Sequence, residues 1–280
     1  MIKNRSTYVR FAEASLLSFF LCAVMYAQDQ PLSNNASSQP APSTNTADTT
    51  NGPYLPWHSD FTLYLWLPGT HGIIGANGYE VGYKASPADL LSHFRFGLMG
   101  TLGVQRGRCV IVTDMVWVRL GANKQAVLPL PGLPLLTAQV KAGQFILTPE
   151  IGYRFFDGEK IKIDAIGGFR YWHLESSLQF TPSPRNLNFS GSVNWADPVM
   201  GARLQVPLSR RTIVTVLGDA GGWAGSQLDY QIIGSLGFKL SPKWALDGGY
   251  RYLYTNYRPG SFVYETAMSG VVLGVTYTIK

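Results

Sequence analysis

The segment Trp244–Lys280 reads WALDGGYRYLYTNYRPGSFVYETAMSGVVLGVTYTIK. Its first part sets Trp244, Leu246, Gly248, Tyr250, Tyr252 and Tyr254 on one side of a strand and Ala245, Asp247, Gly249 and Arg251 on the other. Its last part sets Val271, Leu273, Val275, Tyr277 and Ile279 against Gly270, Gly274, Thr276 and Thr278. A period of two belongs to β-strands whose two faces meet different surroundings. A soluble sandwich and a membrane barrel share this pattern with inside and outside exchanged, so alternation alone does not separate them. Trp57, Trp117, Trp172, Trp195, Trp223, Trp244, Tyr254 and Tyr257 fall near strand ends. That spacing predicts two interfacial aromatic girdles and favours the barrel.

Working outward, ten strand-like segments appear: Trp57–Leu67, Phe94–Gln105, Cys109–Gly121, Val140–Phe155, Lys160–Phe180, Gly191–Leu208, Thr212–Trp223, Gln227–Leu240, Trp244–Tyr257 and Phe262–Ile279. Most exceed the roughly 9–11 tilted residues needed to cross a bilayer. Tight turns at Arg106–Arg108, Phe156–Glu159, Ser209–Arg211 and Ser241–Lys243 alternate with longer links such as Pro68–His93, Ala122–Gln139 and Thr181–Ser190. Short turns on one side and longer loops on the other mark outer-membrane barrels, whose periplasmic turns are short. With a periplasmic N-terminus, all four tight turns fall on the periplasmic side. The predicted fold is an all-β, closed antiparallel up-and-down transmembrane barrel of about ten strands. Twelve is the alternative if Ile73–Ala85 forms an extra hairpin, and parity excludes eleven. A short helical turn is expected at Pro87–His93.

Composition sets the boundaries of this reading. The chain has 280 residues, 46% hydrophobic and only 14% charged, too apolar for a disordered chain. Its longest apolar run, Leu16–Ala27, is too short for a spanning helix. Lys3, Arg5 and Arg10 precede that run and Ala27 follows it, so residues 1–27 are expected to be a cleaved signal peptide. Residues 28–55, rich in Ser, Thr, Asn, Gln and Pro, are expected to be a disordered periplasmic linker, and 56–280 the barrel. Cleavage lowers the formal charge from +6 to +4 and leaves Cys109 as the one cysteine. No basic patch speaks for nucleic acid, and no disulfide is available to hold the fold.

The block WADPVMGARLQVPLSRRTIVTVLGDAGGW, with GSLGFKLSPKWALDGGYRYLYTNY after it, resembles a widespread, poorly characterised family of bacterial outer-membrane barrels. The matching features are Trp195, Asp197 and Pro198, then Gly201 and Arg203, the Gly218–Gly222 element and the Gly249–Tyr252 element. YLWLPGTHG and DLLSHFRFGLMG resemble the start of the same family. The likeness implies a small barrel in a Gram-negative outer membrane and fixes no activity. The chain resembles only distantly the hydrophobe-conducting barrels of the OmpW type. Outer-membrane barrels usually end in a strand read by the assembly machinery; Gly274, Tyr277 and Ile279 fit that form, with Lys280 in place of a final aromatic.

The predicted inward face gathers Asp114, Glu150, Asp164, Asp197, Asp219, Asp229 and Asp247 against Arg154, Lys162, Arg170, Arg203, Lys239 and Arg251. Unpaired charges in a narrow lumen are costly, so these groups are expected to pair across it or to face water. Pairing gives a filled, structural barrel; hydration gives a narrow path for small solutes. The four histidines show no metal-ligand spacing, and no cofactor or metal is expected. His173 with Ser177, near the outer end of a strand, is the only catalytic candidate, as a base and nucleophile for lipid modification. The apolar link Ala122–Leu136, with Leu128, Leu130, Leu133, Leu135 and Leu136, is expected to fold into the mouth or bind an apolar ligand. The expected function is thus a barrel with a charge-paired, largely filled lumen. A porin-like or hydrophobe-conducting channel is the alternative, and a surface lipid-modifying enzyme the second. Expected partners are outer-membrane lipids, lipopolysaccharide and the barrel-assembly machinery.

Overall fold

A computed structural model of the chain describes residues 57–76, 78–126, 136–181 and 188–279. The readings of 1–27 as a signal and of 28–55 as a linker lie outside these residues, as do Leu128, Leu130, Leu133 and Leu135. The elements are β1 (Trp57–Ala76), β2 (Tyr79–Ala85), α1 (Pro87–Ser92), β3 (Phe94–Arg106), β4 (Cys109–Ala126), β5 (Leu136–Asp157), β6 (Lys162–Thr181), β7 (Asn188–Pro207), β8 (Thr212–Gly221), β9 (Leu228–Lys239), β10 (Trp244–Tyr257) and β11 (Val263–Ile279). From β3 to β11 each strand pairs with its neighbours in the chain, and β1 pairs with β3 on one side. On its other side β1 closes the barrel against β11, from Ser59↔Ile279 to Gly75↔Val263.

The wall therefore has the ten strands expected. β2 is an eleventh strand that pairs with β1 alone, from Thr70↔Ala85 to Ala76↔Tyr79. The parity argument against eleven holds for the wall and not for the whole chain. The expected link Pro68–His93 is corrected accordingly: β1 runs past Leu67 to Ala76. Gly69, Gly72 and Gly75 resemble loop sequence, yet β11 pairs all three and β2 supplies a second ladder from Thr70 on. Likewise, β4 extends to Ala126 and β5 starts at Leu136, shortening the apolar link expected there. α1 forms where the short turn is expected. Pro87 stands in its first turn, and Ser86 and Asp89 make a reciprocal capping box. The Ser86 backbone N–H, aided by its hydroxyl, holds the Asp89 carboxyl below its ordinary range.

The four tight turns, at 107–108, 158–161, 208–211 and 240–243, share one end with Trp57 and Ile279. Outward positions carry Phe61, Leu63, Leu65, Phe169, Leu236, Leu246 and Leu273, all exposed. Inward positions carry Asp164, Arg170, Asp229 and Arg251, each at 1% exposure or less. This inside-out distribution is that of a barrel standing in a bilayer. The predicted girdles need correction: Trp57 and Trp244 are exposed, but Trp172, Trp195 and Tyr257 turn inward and are buried. Position near a strand end does not set the face; parity along the strand does.

Inward glycines let neighbouring strands approach closely. A Cβ at Gly201 would stand 2.0 Å from the Gly218 carbonyl oxygen, and one at Gly249 2.3 Å from that of Gly234. Both obstacles are backbone, so the wall itself would have to move. Replacing Gly201 by Val is expected to lower the yield of folded barrel several-fold. The measurement is the fraction that migrates differently unheated and heated on a denaturing gel, with Gly234→Ala, where a Cβ meets nothing within 4 Å, as the silent control.

Candidate functional site

The lumen is filled in layers, beginning near the tight turns. There Asp164 on β6 accepts from Arg154 Nε at 2.7 Å and from Arg203 Nη2 at 2.6 Å, and Arg154 also reaches Gln205. Asp164 is fully buried, and neighbouring strands β5 and β7 bring both arginines to it. A carboxylate held by two guanidinium groups keeps its charge compensated in a dry site.

The middle layer is one continuous network. Arg170 donates through Nη2 to Asp219 at 2.6 Å, through Nη1 to Asp229, and through Nε to Thr148 at 3.1 Å. Asp229 also accepts from Trp172 Nε1, and Asp219 from Gln231 Nε2. Gln231 passes the chain on, accepting from Arg251 Nη2 at 2.8 Å. Arg251 Nη1 then reaches Asp114 at 2.8 Å, which also accepts from Tyr64 and Thr101 hydroxyls. The network thus draws on every wall strand except β7 and β11. Because β10 and β4 stand on nearly opposite sides of the strand order, the Arg251–Asp114 pair crosses the lumen.

Above it lies an apolar core. Trp172 stacks on Trp195 at 5.3 Å, Trp195 on Tyr257 at 4.1 Å, and Tyr264 meets both indoles edge-on. Trp66, Met99, Val116, Leu253 and Met268 complete the cluster. Such offset and edge-on ring contacts add to simple burial. Trp66 places its ring 4.8 Å from the Arg251 guanidinium, so it joins the two layers by a cation–π contact.

Not every predicted residue joins the pairing. Asp197 is buried but pairs with no arginine among the described residues. It accepts from the backbone N–H groups of Gly225 and Ser226 and anchors the loop 222–227 instead. Asp247 accepts from the Thr276 hydroxyl. Lys239 is exposed at the turn end of β9, and Lys162 pairs loosely with Asp157 at 3.8 Å. Glu150 is buried within electrostatic reach of Asp219 and Arg170, and its Oε1 has no hydrogen-bond partner among the described residues. Conversely, sequence reasoning missed Tyr64, Thr101, Thr148 and Gln231. Gln231 carried a usable signal, since it shares the inward parity of Asp229.

His173 and Ser177 both lie on the outer face, opposite Phe145 and Lys141 respectively. Four residues at about 3.3 Å each separate them by roughly 13 Å, outside hydrogen-bond reach. The Arg119–Glu175 ion pair occupies the rung between them. Among the described residues no group of His, Cys, Asp and Glu is gathered to hold a metal ion. Gly274 faces inward against Tyr64, while Tyr277 packs on Trp244 and Ile279 ends β11 on the outer face.

No family model and no curated protein sequence matches the chain. Among solved structures it is similar to the outer membrane protease OmpT from Escherichia coli, at 12% identity over 83% of this chain and 99% of that one, TM-score 0.48. It is also similar to Ail, the attachment invasion locus protein of Yersinia pestis, at 11% over 80% and 98%, TM-score 0.35. A third is the Ralstonia pickettii toluene transporter TbuX, at 11% over 80% and 89%, TM-score 0.36. At these identities and scores the likeness carries no argument; the barrel rests on its own strand pairing.

Arg170→Met leaves Asp219 and Asp229 without their shared cation. It is expected to cost about 3–5 kcal/mol of stability, measured by denaturant unfolding of the refolded barrel. Lys162→Ala, at an exposed loose pair, should change it by less than about 1 kcal/mol.

Proposed function

We propose that this chain is an outer-membrane barrel sealed against free flow of water-soluble solutes, with no catalytic role. The observation that carries the reading is the burial of Arg170 and Arg251, each at 1% exposure or less, in a network drawn from nearly the whole circumference. Ten strands enclose little more than the eight-strand barrels that side chains fill, and far less than porins of 16–18 strands. The apolar outer face supports the membrane, and the shared end of termini and tight turns supports a periplasmic N-terminus. In this reading outer-membrane lipid and lipopolysaccharide surround the wall, and the assembly machinery reads Gly274, Tyr277 and Ile279. The wide separation of His173 and Ser177 speaks against the lipid-modifying alternative.

Planar-bilayer recording tests it. Wild-type protein is expected to show no large, stable conductance steps. The double variant Arg251→Ala/Asp114→Ala, which removes the tie across the lumen, is expected to show intermittent small steps. Steady porin-like conductance from wild type would overturn the proposal.

A further inference from the structure

The ladder between β1 and β3 runs from Trp57↔Arg106 to Leu63↔Gly100 and stops there. β1 regains a partner on that side only at Thr70, which pairs with Ala85 of β2. Residues 64–69 of β1 and 94–99 of β3 thus border a seam with no ladder across it. Open backbone donors are costly in hydrocarbon, and this seam reduces them. The Trp66 N–H points across it to Met99 Sδ at 3.3 Å. In an antiparallel strand every second residue turns its N–H the same way, so Pro68 faces the seam too, and proline has no N–H.

A cavity of about 140 Å³ occupies this seam. Leu65, 45% exposed on the outer face, lines it, and so does Val116, 2% exposed on the inner face. The lining thus draws on both faces of the wall, with Pro87, Leu90 and Leu91 of α1 joining it. Several of its polar lining groups already have partners: Tyr83 with Thr70 and Thr266, Gln144 Nε2 with Met268 Sδ at 3.7 Å, and Asp89 in the α1 cap. Trp66 Nε1 is a buried donor with no partner among the described residues, which suits a weak acceptor such as a π face. Trp66 lines the cavity, and its ring also lies 4.8 Å from the Arg251 guanidinium. Dry apolar cavities of about 150 Å³ take up benzene-sized molecules.

We propose that the β1–β3 seam binds one uncharged, ring-sized hydrocarbon group that arrives from the bilayer through the wall. A free lipophile and the end of a lipid acyl chain share this chemistry. The site does not depend on whether the lumen conducts: a conducting wild type would sink the sealed-barrel reading and leave this one standing.

The test uses the full chain refolded into lipid vesicles, with heat-dependent gel mobility confirming the fold of every variant. One arm titrates fluorobenzene and follows its fluorine resonance. The other uses phospholipid brominated near the chain end and reads quenching of Trp66 emission, taken as the difference from Trp66→Phe. Val118→Trp and Ala142→Leu, both in the lining, fill the cavity. Saturable fluorobenzene binding, weakened at least tenfold by either filling variant, identifies a free lipophile as ligand. Trp66 quenching relieved by the same variants identifies an acyl chain. Leu65→Trp, at the outer opening, should slow fluorobenzene exchange or reduce quenching several-fold; no effect from it would overturn the route through the wall. Absence of both signals in folded wild type, or signals indifferent to both filling variants, would overturn the site.

Discussion

Arg170 keeps its charge at any pH a cell meets, and it is completely buried inside a narrow barrel. Everything around it answers to that condition. β5, β8 and β9 must each present an acceptor at the same height, and Thr148, Asp219 and Asp229 do so. The second acceptor capacity of each carboxylate then needs donors of its own, which Trp172 and Gln231 supply. Gln231 in turn binds Arg251, whose charge requires Asp114 on the far side. One buried guanidinium thus fixes the vertical alignment of most of the wall, since a slip by one residue in any of these strands would turn its partner outward.

The same requirement explains why the lumen is layered rather than mixed. Trp172 has one end in each layer: its Nε1 donates to Asp229 and its ring face begins the stack through Trp195 to Tyr257. Above that boundary the interior contains Leu253, Met268 and Val116 and resembles the core of a soluble protein. This barrel is apolar over most of its outside, apart from polar groups such as the Arg119–Glu175 pair, and inside only in its loop-side half. An apolar interior next to an apolar exterior removes the barrier that normally keeps the two apart, and the seam between β1 and β3 lies at that height.

Much of this was legible in the sequence. The alternation in Trp244–Tyr257 gave the inward position of Arg251, and the near balance of charges gave the expectation of pairing. Ten wall strands follow from the spacing of the turns. Three features escaped for identifiable reasons. Trp172 and Trp195 stand near strand ends, a position shared by girdle residues; only exact parity along β6 and β7 separates the inward aromatic core from a girdle. The Ile73–Ala85 hairpin is legible as an alternative, but not its place outside the wall: glycines that read as loop hide that β1 runs on unbroken, with Ile73 and Ile74 paired on both sides. Nothing local to Asp197 separates it from the pairing charges, since the two backbone N–H groups that reach it come from the loop 222–227.

The two seams of β1 differ in strength. Toward β11 its ladder is unbroken from Ser59 to Gly75, while toward β3 it ends at Leu63. The junction of the chain's first and last wall strands, which forms only when the sheet closes on itself, is therefore firmly zipped. Opening motions concentrate one strand further in. Amide protons of β11 should be among the slowest in the wall to exchange with solvent deuterium, and those of β1 and β3 that face the seam among the fastest, which would set the barrel's breathing at a fixed place away from its closure.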